Sequence, residues 1–366
     1  MLSRMTPSFA RRVRRVLGVT LITFALGTSA LTASAEPALI PAADQQLSFA
    51  QDGTTAYGTL HVPAHRAGQR LAAALLLPGS GATDRNGNQL PSFDPDTLQL
   101  IAGVLGQQGV ASFRFDKYFS GQTGGGAYAS DPGAIDLGAF IRQADAAYEL
   151  LSRLQSVDPA RLLLVGHSEG GFTSMLVAES VAPRPAGLAL LEPQDERLLD
   201  SLDQQTDQSL DAEAATGQIS ETVATQNKAV VARIIAEFRA GQPIDYTGML
   251  PSLVPFWQQG IFSPANANYV RTDDAIYPPN VARDLAPGTR VMVTCGTADA
   301  NVPCATTPPL ISALYAAHTT GPGFVLLPGL DHELHPAGDP VNDQILAPAA
   351  IEALTAFAQP FATGTR

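Results

Sequence analysis

Arg161 to Val165 reads as a buried strand, runs straight into Gly166-His167-Ser168-Glu169-Gly170-Gly171, and is followed by a helical pattern from Phe172 to Val181. A strand that becomes a helix across so few residues needs glycines, because the two backbones come too close for side chains. The residue at the apex is forced into a strained conformation, with its oxygen above the sheet edge and at the N-terminus of the next helix. That helix end offers amide donors and a positive partial charge, which suit a developing oxyanion. Five residues with three fixed also occur by chance, in ordinary glycine-rich turns. The strand before and the helix after are what make Ser168 a candidate nucleophile.

The rest of the chain repeats the same alternation. Gln46 to Pro63 alternates apolar and polar residues around Gly53 and Gly58, as an antiparallel hairpin does. Leu71 to Leu77 is a continuous apolar run that ends at Pro78-Gly79-Ser80-Gly81. Helical spacing over Asp94–Gln108, a strand over Val110–Phe115, a helix over Asp136–Leu154 and a strand over Ala186–Leu191 follow in turn. Such alternation implies a mostly parallel sheet covered on both faces. It breaks after Glu192-Pro193. Residues 194–285 are rich in Gln, Asp and Ala, with helical patterns near 196–215 and 219–239, and then carry Tyr246, Met249, Phe256, Trp257, Phe262 and Tyr269. We read this stretch as a helical cap inserted into a core formed by residues 36–193 and 286–366. The sheet resumes at Arg290–Thr294, and a helix near 307–317, a strand at Phe324–Leu327 and a closing helix at Pro348–Phe357 complete it.

Residues 1–35 stand apart. Arg4, Arg11, Arg12, Arg14 and Arg15 precede the apolar stretch Val16–Ala30, and Ala33-Ser34-Ala35 is a small-residue cleavage site. This is the pattern of a secretory signal peptide cleaved near Ala35, which implies an exported protein. An uncleaved N-terminal anchor is the alternative, although the apolar run is shorter than the ~20 residues a spanning helix needs. The paired arginines match a twin-arginine signal only loosely, and no cysteine lies near the site to carry a lipid. Losing five of the 22 basic residues would move the formal charge from −12 to −17. That acidic balance argues against nucleic acid and against anionic membrane surfaces as partners. The two cysteines, Cys295 and Cys304, fit one disulfide in an oxidising compartment. Two free thiols are the alternative, and the spacing lacks the clustering of a zinc site.

With these motifs in place, the chain resembles the α/β-hydrolase superfamily. It looks closest to bacterial serine esterases with a Gly-His-Ser-Glu-Gly-Gly elbow (here Gly166 to Gly171). Their first long strand ends in Pro-Gly-Ser-Gly followed by Asp-Arg-x-Gly-Asn (here Pro78 to Gly81 and Asp84-Arg85-Asn86-Gly87-Asn88). The resemblance covers most of the chain in order, apart from the insertion. It implies an α/β-hydrolase fold and the chain order nucleophile, acid, histidine. After Ser168 the acid is expected at Asp299, in a Gly-x-x-Asp-x-x-Val-Pro loop past the strand ending at Thr294, with Glu192 and Asp195 as rivals. The histidine is expected at His332, five residues past Leu327. His335 competes but is expected to be a solvated loop residue, and Asp331 to be structural. The amides of Ser80 and Glu169 are the expected oxyanion donors. Asp84 and Arg85 are expected to pair and hold their loop, with a solvated turn as the alternative. The composition of the cap's aromatic residues suits the lining of an acyl or alcohol pocket and the cap's own core packing equally well.

The resemblance thus implies carboxylic-ester cleavage through an acyl-enzyme on Ser168, acting on a small-molecule ester with no metal or organic cofactor. A serine peptidase or amidase would use the same three residues, and so would a thioesterase, which export makes less attractive. A binding protein that kept the fold is a fourth reading, against which the ordered set of Ser168, Asp299 and His332 argues.

Overall fold

The computed structural model describes residues 37–340 and 342–362. The proposed signal peptide and its cleavage site lie outside the described residues. No helix among the described residues is long and apolar enough to cross a membrane.

The chain opens with the hairpin β1 (Ala43–Gln51) and β2 (Thr54–Val62). Then come β3 (Leu71–Leu77), α1 (Thr97–Gln107), β4 (Ala111–Phe115), α2 (Leu137–Ser152), β5 (Val157–His167), α3 (Glu169–Ser180) and β6 (Gly187–Leu191). A helical segment follows with α4 (Leu198–Ala215), α5 (Glu221–Arg239), α6 (Ala267–Asp274) and α7 (Pro278–Asp284). β7 (Arg290–Gly296), α8 (Pro308–Ala316), β8 (Thr320–Leu327) and α9 (Pro348–Ala358) close the fold. A two-residue pairing of Leu39–Ile40 with His65–Arg66 lies outside the main sheet.

The eight strands lie in the order β8-β7-β6-β5-β3-β4-β2-β1, parallel from β8 through β4, with β2 antiparallel to both of its neighbours. From β3 the chain crosses to β4 on one side and returns to β5 on the other. The crevice at such a reversal, above the C-terminal ends of the strands, is where open α/β sheets place ligands.

Period-2 alternation divides the buried strands between two cores. Leu75 and Leu77 of β3 and Leu162 and Leu164 of β5 face α2 and α3, against Tyr148 and Phe172. Ala74, Leu76, Leu163 and Val165 face α1 and α9, against Leu98, Ile101 and Phe357. Burial on both faces is why these strands read as unbroken apolar runs.

Among the boundaries that differ from the sequence reading, three have clear local reasons. Strand β5 begins at Val157, four residues early and across Pro159, next to a register shift in its pairing with β3, a setting in which a strand tolerates proline. Helix α1 begins at Thr97 rather than Asp94. Asp96 stands at φ 53°, held there by reciprocal hydrogen bonds with Asn88 (2.6 and 2.8 Å). β8 starts at Thr320, ahead of the apolar run, because its Gly321-Pro322-Gly323 carries no side-chain signal.

Helices α4 and α5 pack on the segment around Trp257 and on α6, with Leu199, Val231, Ile234, Phe238, Trp257 and Phe262 forming a separate core. The insertion's aromatic residues are thus engaged largely in its own packing, the second of the two roles their composition suits. Tyr269 is the exception, since it packs against the insertion core and the sheet core together.

Candidate active site

Ser168 sits between β5 and α3 at φ 58°, ψ −125°, a region that few non-glycine residues occupy and that persists only where surrounding structure enforces it. The enforcement is visible. Ser168 N donates to Leu191 O at 2.9 Å, and Ser168 O accepts from Gly171 N (2.9 Å) and Gln194 N (3.1 Å). A Cβ on Gly166 would overlap the Gly170 carbonyl, and one on Gly170 would overlap the Leu77 carbonyl. The turn therefore closes only with glycine at both places.

The loop after β3 lies directly alongside. A Cβ built on Gly79 would stand 3.2 Å from Ser168 Cβ and 3.6 Å from its Oγ. Ser80 O accepts from Thr83 Oγ1 (2.7 Å) and Gln89 Nε2 (2.9 Å), which folds the loop on itself, while the exposed Ser80 donates no backbone hydrogen bond among the described residues. Glu169 opens α3, so its amide has no partner within the helix.

Asp299 and His332 are brought together from two loops 33 residues apart. His332 Nδ1 meets Asp299 Oδ2 at 2.8 Å. The other carboxylate oxygen accepts from Asn301 N (2.7 Å) and Val302 N (2.8 Å), so the buried acid is fully engaged. The loops are themselves laced: Ala298 N donates to Leu330 O (2.9 Å) and Gly329 N to Thr297 Oγ1 (2.8 Å). Asp331 Oδ1 caps the turn by accepting from Glu333 N and His335 N. Burial would depress the His332 imidazolium, but the charge and hydrogen bond of Asp299, helped by Glu333 and Glu192, push it up to about 9.

The histidine is tied to the elbow through its neighbour. His167 Nε2 hydrogen-bonds His332 O at 2.7 Å, and the two rings lie 4.9 Å apart. Ser168 Oγ and His332 Nε2 form no hydrogen bond among the described residues; such contacts often tighten only with substrate bound. Cys295 and Cys304 are disulfide-bonded, with Cα atoms 5.7 Å apart, and bracket the Asp299 loop.

Neither rival acid hydrogen-bonds His332 among the described residues. Glu192 Oε2 accepts from Gly296 N (2.7 Å), and burial, followed by the charge of Asp299, pushes this carboxyl up to about 8. Asp195 accepts from Thr306 Oγ1 (3.1 Å), and burial pushes it up to about 7. His335 is a correction to the sequence reading: it is fully buried rather than solvated, and neither ring nitrogen has a partner among the described residues. Asp84 and Arg85 do not pair with each other either. Asp84 accepts from the amides of Asn86 and Asn88, whereas Arg85 grips Asp116 with two nitrogens (3.0 and 2.6 Å). The intervening backbone turns the two side chains to different partners.

Lys117 escaped the sequence reading. It follows β4, is buried, and its Nζ reaches the Gly79 carbonyl at 2.5 Å. A lysine just past a buried strand was the only available signal. Among the described residues, His167, His332 and Glu333 form the one cluster with metal-ligand spacing; it shares His332 with the arrangement above.

No family model and no curated protein matches the sequence. Solved structures do. The chain is similar to the α/β hydrolase GrgF from Penicillium sp. sh18 (17% identity, 87% of this chain and 99% of that one, TM-score 0.53). It is also similar to Est1E from Butyrivibrio proteoclasticus, solved with ferulic acid bound (17%, 86% and 97%, TM-score 0.51). A third is 2,6-dihydroxy-pseudo-oxynicotine hydrolase (14%, 88% and 70%, TM-score 0.51). The fold is the α/β-hydrolase fold.

Proposed function

We propose that this chain is an exported serine hydrolase that cleaves carboxylic esters of small molecules through an acyl-enzyme on Ser168. The observation that carries the reading is the 2.8 Å contact of His332 Nδ1 with the buried Asp299, with the His332 carbonyl held by His167, the residue that precedes a strained serine at a helix N-terminus. In this reading His332 Nε2 takes the Ser168 proton as Oγ attacks the ester carbonyl. Asp299 holds the ring in the required tautomer and stabilises the imidazolium. The amides of Ser80 and Glu169 receive the oxyanion. The imidazolium then protonates the departing alcohol, and water, activated by the same nitrogen, releases the acid. These steps use side chains and backbone amides of this chain alone.

The disulfide supports export, since such bonds persist in oxidising compartments. The helical segment between β6 and β7, with its own packed core, serves as the cap. The structural neighbours support hydrolysis as the reaction type.

The test is hydrolysis of p-nitrophenyl acetate, butyrate and octanoate by the purified protein beside Ser168→Ala. Turnover that disappears in the variant is expected, and the chain-length profile sizes the acyl pocket. Equal turnover in both proteins would remove Ser168 from the mechanism. Failure on every ester, with cleavage of aminoacyl anilides, would replace the esterase by an amidase.

A further inference from the structure

We propose that Lys117 is a positioning residue for the oxyanion pocket, tying the loop that carries Ser80 to the helix turn that carries Glu169. This rests on the serine-hydrolase reading above. The acceptor of the Lys117 ammonium is the carbonyl of Gly79, at 2.5 Å. That carbonyl belongs to the same planar peptide unit as the Ser80 N–H. In a trans peptide the two bonds point in opposite directions. Fixing the carbonyl therefore fixes the direction of the amide, and a positive charge on the oxygen also polarises the unit and strengthens the donor.

The same ammonium lies 3.8 Å from Glu169 Oε1, and Glu169 supplies the other amide. Its remaining oxygen accepts from Tyr269 Oη at 2.5 Å, and Gln194 Nε2 holds Asp273, one turn further along α6, at 3.0 Å. Phe140 covers the ammonium, with its ring centre 5.4 Å away. Lys117, Glu169 and Asp273 are all buried. Burial draws the Lys117 ammonium below its ordinary value, and the charges of Glu169 and Asp273 oppose that. A charge cluster of this kind is weak evidence for stability, since an apolar replacement often serves the fold as well. Its location, on the peptide unit of one expected donor and beside the side chain of the residue that carries the other, is what assigns it a role in the reaction. Because Tyr269 and Asp273 belong to the insertion, the cluster also registers the insertion against the pocket.

The experiment compares wild type, Lys117→Arg, Lys117→Met and the charge-balanced double variant Lys117→Met/Glu169→Gln. Each is measured for kcat and KM on p-nitrophenyl butyrate and for Ki of an alkyl trifluoromethyl ketone. The ketone adds Ser168 Oγ to its carbonyl carbon and places the resulting oxyanion in the pocket. A fluorophosphonate probe counts competent sites, and circular dichroism with thermal melting reports folding. Lys117→Met is expected to lose kcat by on the order of tenfold or more, with KM within about twofold. Ki for the ketone should rise by the same factor, since both report oxyanion stabilisation. Lys117→Arg should recover part of the loss. If Lys117→Met does not fold, the double variant, which removes the Lys117 charge together with that of Glu169, decides. Wild-type kcat in either folded variant overturns the inference, and so does a fall in kcat with unchanged Ki. A wild-type protein that neither takes the probe nor hydrolyses the ester sinks the serine-hydrolase reading itself, a result distinct from loss of the Lys117 role alone.

Discussion

Replacing Asp299 with Asn keeps the shape of the acid and removes its charge. The size of the effect follows from His332, whose imidazolium stands at about 9 against an ordinary 6.5. At about 1.4 kcal/mol per pH unit, that gap is roughly 3 kcal/mol of preference for the charged ring. Burial opposes it, so the combined contribution of Asp299, Glu333 and Glu192, led by Asp299, exceeds the net figure. In the variant, the His332 value should fall at least to the ordinary 6.5. The sign in activity runs through the neutral form, because only a neutral imidazole can accept the Ser168 proton. In wild type at pH 7 roughly one ring in a hundred is neutral, so kcat/KM should climb with pH up to about 9. In Asp299→Asn the climb should end near or below pH 6.5. The plateau it reaches should also be lower, by ~10³- to 10⁴-fold, because the amide favours the wrong tautomer and does not stabilise the imidazolium. The assay is p-nitrophenyl butyrate hydrolysis from pH 5 to 10, with imidazole NMR of both proteins. A variant whose rate still climbs to pH 9, or whose plateau lies within a few-fold of wild type, would refute the pairing as the source of the raised value.

Three further outcomes follow from the packing. Cys304→Ala opens a loop of about ten residues and should cost on the order of 2–3 kcal/mol, read as a lower melting temperature, with kcat reduced because the Asp299 loop loosens. An unchanged melt would separate the bridge from stability. Arg85→Ala leaves the carboxylate of Asp116, only 2% exposed, without its cation and should cost ~3–5 kcal/mol in urea unfolding; a loss below 1 kcal/mol would contradict the view that this pair holds the loop after β3. Gly170→Ala drives a methyl into the Leu77 carbonyl and should cost about 3 kcal/mol, with activity lost even where the protein folds. Retained activity would mean that the elbow tolerates a wider turn.

Much of the fold is legible in the sequence because burial on both faces of β3 and β5 leaves unbroken apolar runs, each followed by glycine or by an amphipathic helix. The edge of the sheet is less so, since Gly321-Pro322-Gly323 in β8 offers no pattern to read. Ser168 stands out because a tight strand-to-helix turn restricts its neighbours to glycine, a purely local constraint. Asp299 and His332 can be nominated by their offsets from strand ends, but their 2.8 Å contact is made across 33 residues and is visible only in three dimensions. Lys117, a lysine just past a buried strand, and Tyr269, one aromatic residue among several in the insertion, show little of their role locally, because each takes its meaning from partners on other elements. His335 misleads for the converse reason. Its loop is polar in sequence, yet Asp331 turns the backbone so that the ring points inward.

The most direct test of Ser168 as the nucleophile is to quench the reaction with p-nitrophenyl acetate in acid during the first turnover and map the adduct by peptide mass spectrometry. An acetyl group on Ser168, absent from Ser168→Ala, is the expected result. An adduct on another residue, or none while p-nitrophenol is released in the wild type, would contradict an acyl-enzyme at this serine.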